Sequence, residues 1–275
     1  MDNTAWITIN RPQVRNAFRE QTLDELIEAV KSTREDPSIV AAVITGAGDK
    51  AFSAGGDFDA MMKLNRANAM HWNDRMLGLA MAIRGVPIPV IAMVHGACMG
   101  GGHELALWCD LVISAEDGIF GQTGARVGAC PTVGATQYIP RLIGDRLAKE
   151  MIFLCRKFTA DEAVKIGLIN KVVPKAKLRE ETEAWCQQMK GYSGQTLRAT
   201  KKSLNFESDE LYASWQQGME LLAEIWGSDE SLEGMNAFLE KRKPDFHQFR
   251  EARKIKVDTY LDDLANDRNQ SPEKF

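Results

Sequence analysis

Short apolar runs of strand length alternate along the chain with longer segments in which apolar residues recur every three or four positions. The apolar runs predict strands over residues 5–10, 40–45, 90–94 and 111–114. The longer segments predict helices over residues 21–31 and 58–84. Because strands that alternate with helices usually pair in parallel, this order predicts an α/β fold with a layered core and a mostly parallel sheet.

The pattern changes after Pro174, where the strand-like runs end and amphipathic helices follow one another. These helices are predicted over residues 180–190, 195–205, 210–226 and 229–241. We therefore divide the chain into a core (residues 1–190), a C-terminal helical region (191–250) and a polar tail (251–275). The charged composition of the tail predicts a short helix over 254–261 and disorder from residue 266 onward.

Composition narrows the classes of function. The 275 residues are 44% hydrophobic and 26% charged, which is typical of a globular chain that buries a full core. No apolar run is long enough to span a membrane, and the first residues lack the basic and apolar regions of a signal peptide. The net charge of −4 argues against nucleic-acid binding. The five cysteines form no CxxC pair, so we expect reduced thiols, a cytoplasmic location and no metal site.

Segment 90–106 carries the strongest chemical signal. It predicts a β-branched strand, a tight turn of small residues and a helix with Glu104 in its first turn. The three glycines at 100–102 let a substrate carbonyl approach the backbone, and the N–H groups at a helix start attract a developing oxyanion. Glu104 is then near enough to move a proton. The same glycines also suit close packing of a strand against a helix, so this segment alone leaves both interpretations open.

A second segment of this kind lies at residues 52–57, after the predicted strand 40–45. Two N–H donors from separate loops are what the enolate oxygen of a thioester requires. Asp57, at the end of this segment, is a candidate catalytic base, and a helix N-cap is its alternative role. For Glu104 the alternative is an exposed acidic residue that interacts with the helix dipole.

Together the two segments resemble the crotonase superfamily, the enoyl-CoA hydratases and isomerases. The resemblance continues in order between residues 4 and 250, through segments 10–12, 16–18, 109–113, 120–122, 163–169, 172–174, 233–238 and 241–246. It implies a spiral core of ββα turns and a helical C-terminal region that builds homo-oligomers, either trimers or dimers of trimers. It also implies an acyl-CoA substrate, no separate cofactor, and an oxyanion hole formed by the N–H groups of Ala54 and Gly101.

The resemblance also suggests which residues bind the substrate. Four of them match positions that contact the adenine and phosphates of CoA in relatives, namely Arg15, Ala17, Lys241 and Phe246. A solvated helix face is the alternative for the basic group at 241–243. Thr123 and Gln137 are candidates for the lining of the acyl pocket. His103 lies about 100° from Glu104 around a helix, which favours a packing role.

One position departs from the hydratases that use two glutamates. The first glutamate of those enzymes lies in the glycine motif, which Glu104 matches, and the second lies where this chain has Gly124. Because glycine cannot titrate, we do not expect an unmodified mechanism with two glutamates. Segments 121–124, 153–156 and 185–186 resemble instead dihydroxynaphthoyl-CoA synthase and the ring-opening hydrolases of CoA esters.

Within that branch, Ala129, Pro131 and Trp226 replace three polar residues of the synthase. Glu104 and the stretch 134–140 are more similar to the hydrolase that opens an oxocyclohexene-carbonyl-CoA ring. The expected function is therefore hydrolytic C–C ring opening of a cyclic oxo-acyl-CoA. Two alternatives stay open: hydration of an α,β-unsaturated acyl-CoA, and a non-catalytic binding protein with the crotonase fold.

Overall fold

The computed structural model describes residues 3–270, and side chains up to residue 266. Its first layer is a five-stranded sheet in which every neighbouring pair is parallel. In spatial order, its strands are β1 (Thr4–Ile9), β2 (Ala41–Gly46), β4 (Val90–Val94), β6 (Leu111–Ala115) and β9 (Lys171–Val173). The four predicted strands are all in this sheet, within one residue of their predicted ends, which confirms the parallel α/β core.

A second sheet consists of strands that are only three residues long. In spatial order, they are β3 (Ala51–Ser53), β5 (Ala97–Met99), β7 (Ile119–Gly121) and β8 (Lys157–Thr159), the last one antiparallel. Successive turns of the chain place one strand in each sheet and then a helix, as in β2, β3 and α2 (Phe58–Met61), or β4, β5 and α4 (Gly101–Trp108). This repetition is the expected ββα spiral.

Eight α-helices lie within residues 1–190 of the described chain, between or after the strands of these sheets. Their bounds are α1 (Glu20–Ser32), α2 (Phe58–Met61), α3 (Ala69–Gly85), α4 (Gly101–Trp108), α5 (Ala135–Ile143), α6 (Asp145–Phe153), α7 (Ala160–Lys165) and α8 (Leu178–Lys190). The single helix predicted over 58–84 is in fact two helices, α2 and α3. Between them, the Asn68 side chain accepts from the Asn65 N–H and the Asn65 side chain accepts from the Ala67 N–H, so local side-chain bonds replace helical ones.

The C-terminal part of the described chain is helical, as predicted. Its helices are α9 (Gly194–Asp209), α10 (Tyr212–Ile225), α11 (Asp229–Leu239) and α12 (His247–Gln270). The expectation for the tail is wrong as far as residue 270, since α12 is one continuous helix and not a short helix followed by disorder. Its Arg, Lys, Leu and Ala residues have high helix propensity, which a charged composition does not cancel. The predicted disorder at 271–275 lies outside the described residues.

The core brings the two glycine segments together. One large apolar cluster fills the space between the sheets and helices α1, α3, α4, α5 and α10, and it contains Phe18, Trp72, Trp108 and Trp215. Within it, β3 pairs with β5, so the residues that follow these strands lie side by side. No helix within residues 3–270 is long and apolar enough to cross a membrane.

Candidate active site

A cavity of about 100 Å³ lies where the two glycine segments meet. Its polar side contains Gly56, Gly101, Glu104, Gln122 and Thr123. Its apolar side consists of buried side chains from α2, α3, α10 and the residue after α10, namely Met61, Trp72, Met76, Leu222 and Trp226. Such a lining suits an apolar acyl group whose polar atoms face one wall.

Gly55 explains why the two segments approach so closely. Its φ is +94°, and a Cβ at this position would lie 2.8 Å from the Gly101 nitrogen. Only a residue without a side chain accepts both the backbone conformation and this contact. The start of α4 therefore lies directly against the loop that follows β3.

Two backbone N–H groups at this junction have no hydrogen-bond acceptor among the described residues. They belong to Gly56 and to Gly101, and both residues line the cavity. Gly101 is the first residue of α4, where helical N–H groups lack an intrahelical acceptor. The two groups form a pair of donors from separate loops, the arrangement that an enolate oxygen requires.

The prediction that Ala54 supplies one of these donors is wrong. The Ala54 N–H donates to the Arg15 carbonyl over 2.9 Å, so it is already occupied. Arg15 follows a short 3-10 helix and has a φ of 54°, which turns its carbonyl toward this loop. Gly56, two residues later in the same loop, has the unoccupied N–H. Sequence alone did not reveal this, because the bond to Arg15 joins residues 39 positions apart in the chain.

Glu104 is buried against this junction without a cationic partner. It is 5% exposed, and its Oε1 accepts a hydrogen bond from the Val133 N–H over 3.0 Å. Burial raises the pKa of Glu104 to about 8, and hydrogen bonds from the backbone of Ala135 and Val133 offset only part of this effect. The alternative of an exposed dipole partner is therefore wrong. Near neutral pH both forms of the carboxyl are accessible, which suits a group that accepts and donates a proton.

Asp57 has a structural environment. Its Oδ2 forms an ion pair with Arg11 over 2.8 Å, and its Oδ1 accepts from the Asp59 N–H at the start of α2 over 3.0 Å. Asp57 does not line the cavity. The N-cap alternative is the one the structure supports, and we withdraw the expectation that Asp57 is a catalytic base.

Gly124 lines the cavity at the position where the two-glutamate enzymes carry their second carboxylate. A Cβ here would lie 2.5 Å from the Ala129 carbonyl oxygen. The backbone of the 124–129 turn therefore leaves no room for a side chain at this position. Glu104 is the only carboxylic acid among the described residues that line the cavity.

The other predicted substrate contacts divide into two groups. Thr123 lines the cavity, whereas Gln137 does not, because its side chain accepts from the Gly134 N–H and donates to Ser214, which ties α5 to α10. The four residues expected to contact CoA lie outside the cavity, and their role stays a prediction: Arg15 and Lys241 are exposed, Phe246 is half-buried and Ala17 is buried.

His103 lies behind the polar side of the cavity, next to Gln122, which lines it. The amide nitrogen of Gln122 is 3.4 Å from both the Gly100 carbonyl and the Nδ1 of His103. Burial lowers the pKa of His103 to about 3, so the ring is neutral and its packing role agrees with the prediction. The sequence gives no signal for three lining residues, Trp72, Met76 and Gln122. Apolar residues at helical spacing, such as Trp72 and Met76, and a single buried glutamine are ordinary in a protein core.

A larger cavity of about 530 Å³ lies on the other side of α4, between that helix and α9. Ala106, Leu107 and Lys201 are among its lining residues, but neither Glu104 nor the two free glycine N–H groups reach it. The chemistry that we infer therefore belongs to the smaller cavity. No group of three or more His, Cys, Asp or Glu side chains in the described part of the chain is arranged to hold a metal.

Both the sequence and the fold are similar to those of known proteins. Residues 2–250 match the enoyl-CoA hydratase/isomerase family. An enoyl-CoA hydratase from Bacillus anthracis is 32% identical, with a TM-score of 0.73 over 90% of this chain and 96% of that one. A carnitinyl-CoA hydratase from Mycobacterium avium is also 32% identical, with a TM-score of 0.80 over 90% and 95% of the two chains. An enoyl-CoA hydratase from Mycobacterium avium subsp. paratuberculosis is 27% identical, with a TM-score of 0.82 over 90% and 96%.

Proposed function

The chain belongs to the enoyl-CoA hydratase/isomerase family of acyl-CoA enzymes, and we propose that it uses a single carboxyl group, Glu104, to move the proton in its reaction. The N–H groups of Gly56 and Gly101 hold the thioester oxygen as it gains negative charge. Removal of one such donor typically costs about 100- to 1,000-fold in rate. The substrate's acyl group occupies the apolar side of the small cavity.

The finer reaction that we propose is hydrolytic opening of a cyclic β-oxoacyl-CoA. Ionised Glu104 accepts a proton from water as the water oxygen bonds to the ring ketone carbon. The bond between that carbon and the α-carbon then breaks, and its electron pair passes to the thioester as an enolate. Neutral Glu104 returns the proton to the α-carbon, which leaves a free carboxylic acid at one end of the product and the thioester at the other.

One observation carries this proposal: Glu104 is the sole carboxylic acid among the described residues that line the cavity. One carboxyl that alternates between two protonation states serves both proton transfers, and its pKa of about 8 permits this near neutral pH.

Enoyl-CoA hydration is the second candidate. It is supported by the three relatives described above, all of which are hydratases, at 27% and 32% identity. A single carboxyl also serves this reaction: ionised Glu104 accepts a proton from water as the water oxygen bonds to the β-carbon, and neutral Glu104 then returns that proton to the α-carbon on the same face of the double bond. A non-catalytic role is less favoured, because a buried carboxyl without a cationic partner costs stability when it ionises and brings a mere binding protein no benefit.

A screen of CoA esters by mass spectrometry tests these alternatives. Both reactions add one water, so the product must be methylated to reveal the new carboxylic acid that only ring opening creates. We expect the enzyme to add one water to cyclic β-oxoacyl-CoA esters. Chemical methylation of the product should then add one methyl group at the new carboxylic acid. Rapid hydration of straight-chain enoyl-CoA esters, with no action on cyclic ketones, would overturn ring opening. Failure of every CoA ester to react or bind would overturn the wider proposal.

The trimer or dimer of trimers, with a cytoplasmic location, also remains a proposal. Large apolar side chains lie exposed on the C-terminal helical region, including Leu204, Phe206 and Leu221. Exposed apolar side chains of this size suit a protein interface if they form one continuous patch. Sedimentation velocity would test the assembly.

A further inference from the structure

Helix α12 extends beyond the part of the chain that matches the family. It has 24 residues, which corresponds to a length of about 36 Å, whereas the family match ends at residue 250. Every side chain from residue 251 to 266 is exposed except Leu264, which is half-buried. Arg253 connects the helix to the body through an ion pair with Glu230 over 2.6 Å. The family fold therefore does not explain what the outer part of α12 does.

Between residues 257 and 264, one face of α12 is apolar. Tyr260, Leu261 and Leu264 lie three, four and seven residues after Val257, which places all four on the same side of the helix. The first three are more than half exposed. Most of the stability of a helix in a protein comes from the packing of its apolar face, so an apolar face normally packs against a partner.

The charges of α12 change sign along its length. The residues before Val257 are mostly basic, namely Arg250, Arg253, Lys254 and Lys256, with Glu251 as the exception. The charged residues from 258 to 266 are all acidic, namely Asp258, Asp262 and Asp263. A second α12 in parallel orientation would place like charges together. An antiparallel α12 places the basic half of each helix against the acidic half of the other.

We infer that α12 pairs with the α12 of a second copy of this chain in an antiparallel coiled coil. The pair is related by a twofold axis that passes near residues 257–260. Val257 of one copy then packs against Tyr260 of the second copy. Lys256 and Asp263 are seven residues apart on one flank of the seam, so Lys256 of each copy lies beside Asp263 of the other.

Charge reversal in the full chain, followed by sedimentation velocity, tests this pairing. Lys256→Asp alone, or Asp263→Lys alone, makes both flanking pairs repulsive, and we expect association to weaken about tenfold. The double variant Lys256→Asp/Asp263→Lys restores both pairs, and we expect it to associate as the unaltered chain does. Asp262→Lys is the matched control, because residue 262 lies on the side of the helix away from the seam.

The thermal unfolding of the body serves as the folding check, since these side chains are exposed and form no hydrogen bond or ion pair with the described part of the body. Two results would overturn the pairing. One is that neither single reversal weakens association. The absence of any concentration-dependent association of the unaltered chain would count in the same way. The other is that the double variant does not regain the association of the unaltered chain. Helix α12 would then have a different partner, such as another protein or a phospholipid surface.

Discussion

The two glycine segments that form the cavity differ in what they leave available for chemistry. In segment 53–57, the Ala54 N–H is bound to the Arg15 carbonyl, and Asp57 is held by Arg11 and by the first turn of α2. In segment 99–104, the Gly101 N–H has no acceptor and Glu104 has no cationic partner among the described residues. The first segment contributes a backbone donor at Gly56, and the second contributes a donor and the carboxyl group.

This difference shows that distant residues decide the role of a carboxylate beside a glycine turn. Arg11 precedes Asp57 by 46 residues, and it supplies a charge that fixes the carboxylate in place. Val133 follows Glu104 by 29 residues, and it supplies only one neutral N–H inside an apolar environment. A carboxylate that is fully satisfied by its neighbours is a structural element, whereas a buried one without a counter-charge can exchange its proton near neutral pH.

The largest expected effect separates the two carboxylates by activity. Glu104→Gln preserves the volume of the side chain but removes the titratable group, so turnover of an accepted acyl-CoA should fall about 100- to 10,000-fold. Asp57→Asn should leave turnover within a few-fold of the unaltered enzyme. Steady-state kinetics with folded variants provides the measurement. Loss of activity in Asp57→Asn at full thermal stability would reverse our assignment.

The next effect concerns the donor in the second segment. Gly101→Pro removes the N–H at the first position of α4, where proline is well tolerated in helices. We expect turnover to fall about 100- to 1,000-fold. Gly101→Ala is the matched control, because it retains the N–H and its methyl group would meet the Met76 Cε at 3.4 Å, an ordinary contact. Equal rates for the two variants would remove Gly101 from the oxyanion hole.

The pKa of Glu104 also predicts how stability depends on pH. The folded chain keeps the proton up to about pH 8, whereas the unfolded carboxyl has its ordinary pKa of 4.5. Between these values the folded state binds more protons, so its free energy of unfolding falls by about 1.4 kcal/mol for each pH unit as the pH rises. Glu104→Gln should lack this loss. Urea unfolding at pH 5 and pH 8 would show it, and parallel pH profiles for both proteins would contradict it.

The smallest expected effect tests the structural role of Asp57. Asp57→Ala removes both the cap of α2 and the partner of Arg11, so the free energy of unfolding should fall by about 1–3 kcal/mol. Asp57→Asn should cost less, because its amide oxygen still caps the helix. Denaturant titration at pH 7 compares the two variants. An unchanged midpoint for Asp57→Ala would show that neither contact stabilises the fold.

Periodicity was sufficient to predict the five-stranded sheet, except for β9, because buried strands such as Val90–Val94 consist of continuous apolar residues. The three-residue strands of the second sheet are too short to show any period. The break between α2 and α3 depends on side-chain bonds of Asn65 and Asn68, which a count of apolar positions does not detect. The long helix α12 was missed because a charged composition was interpreted as disorder.

The site was predictable to the extent that its chemistry is local in sequence. Glu104 and Gly101 lie within one turn of a helix start, and this local context was enough to identify them. Ala54, Asp57 and Gln137 were interpreted incorrectly because each is engaged by a residue far away in the chain: Arg15, Arg11 and Ser214 respectively. Such bonds depend on how the loops pack, which residue types and spacing do not determine.

Proton exchange at the α-carbon of a saturated acyl-CoA tests the central claim most directly, because it requires only the oxyanion donors and one base. Butanoyl-CoA in D₂O, followed by proton NMR, reports this step without any assumption about the natural substrate. We predict that the unaltered enzyme and Asp57→Asn exchange the α-protons at similar rates and that Glu104→Gln is at least about 100-fold slower. Exchange by Glu104→Gln at the unaltered rate, or its loss in Asp57→Asn, would contradict the assignment of Glu104 as the group that moves the proton.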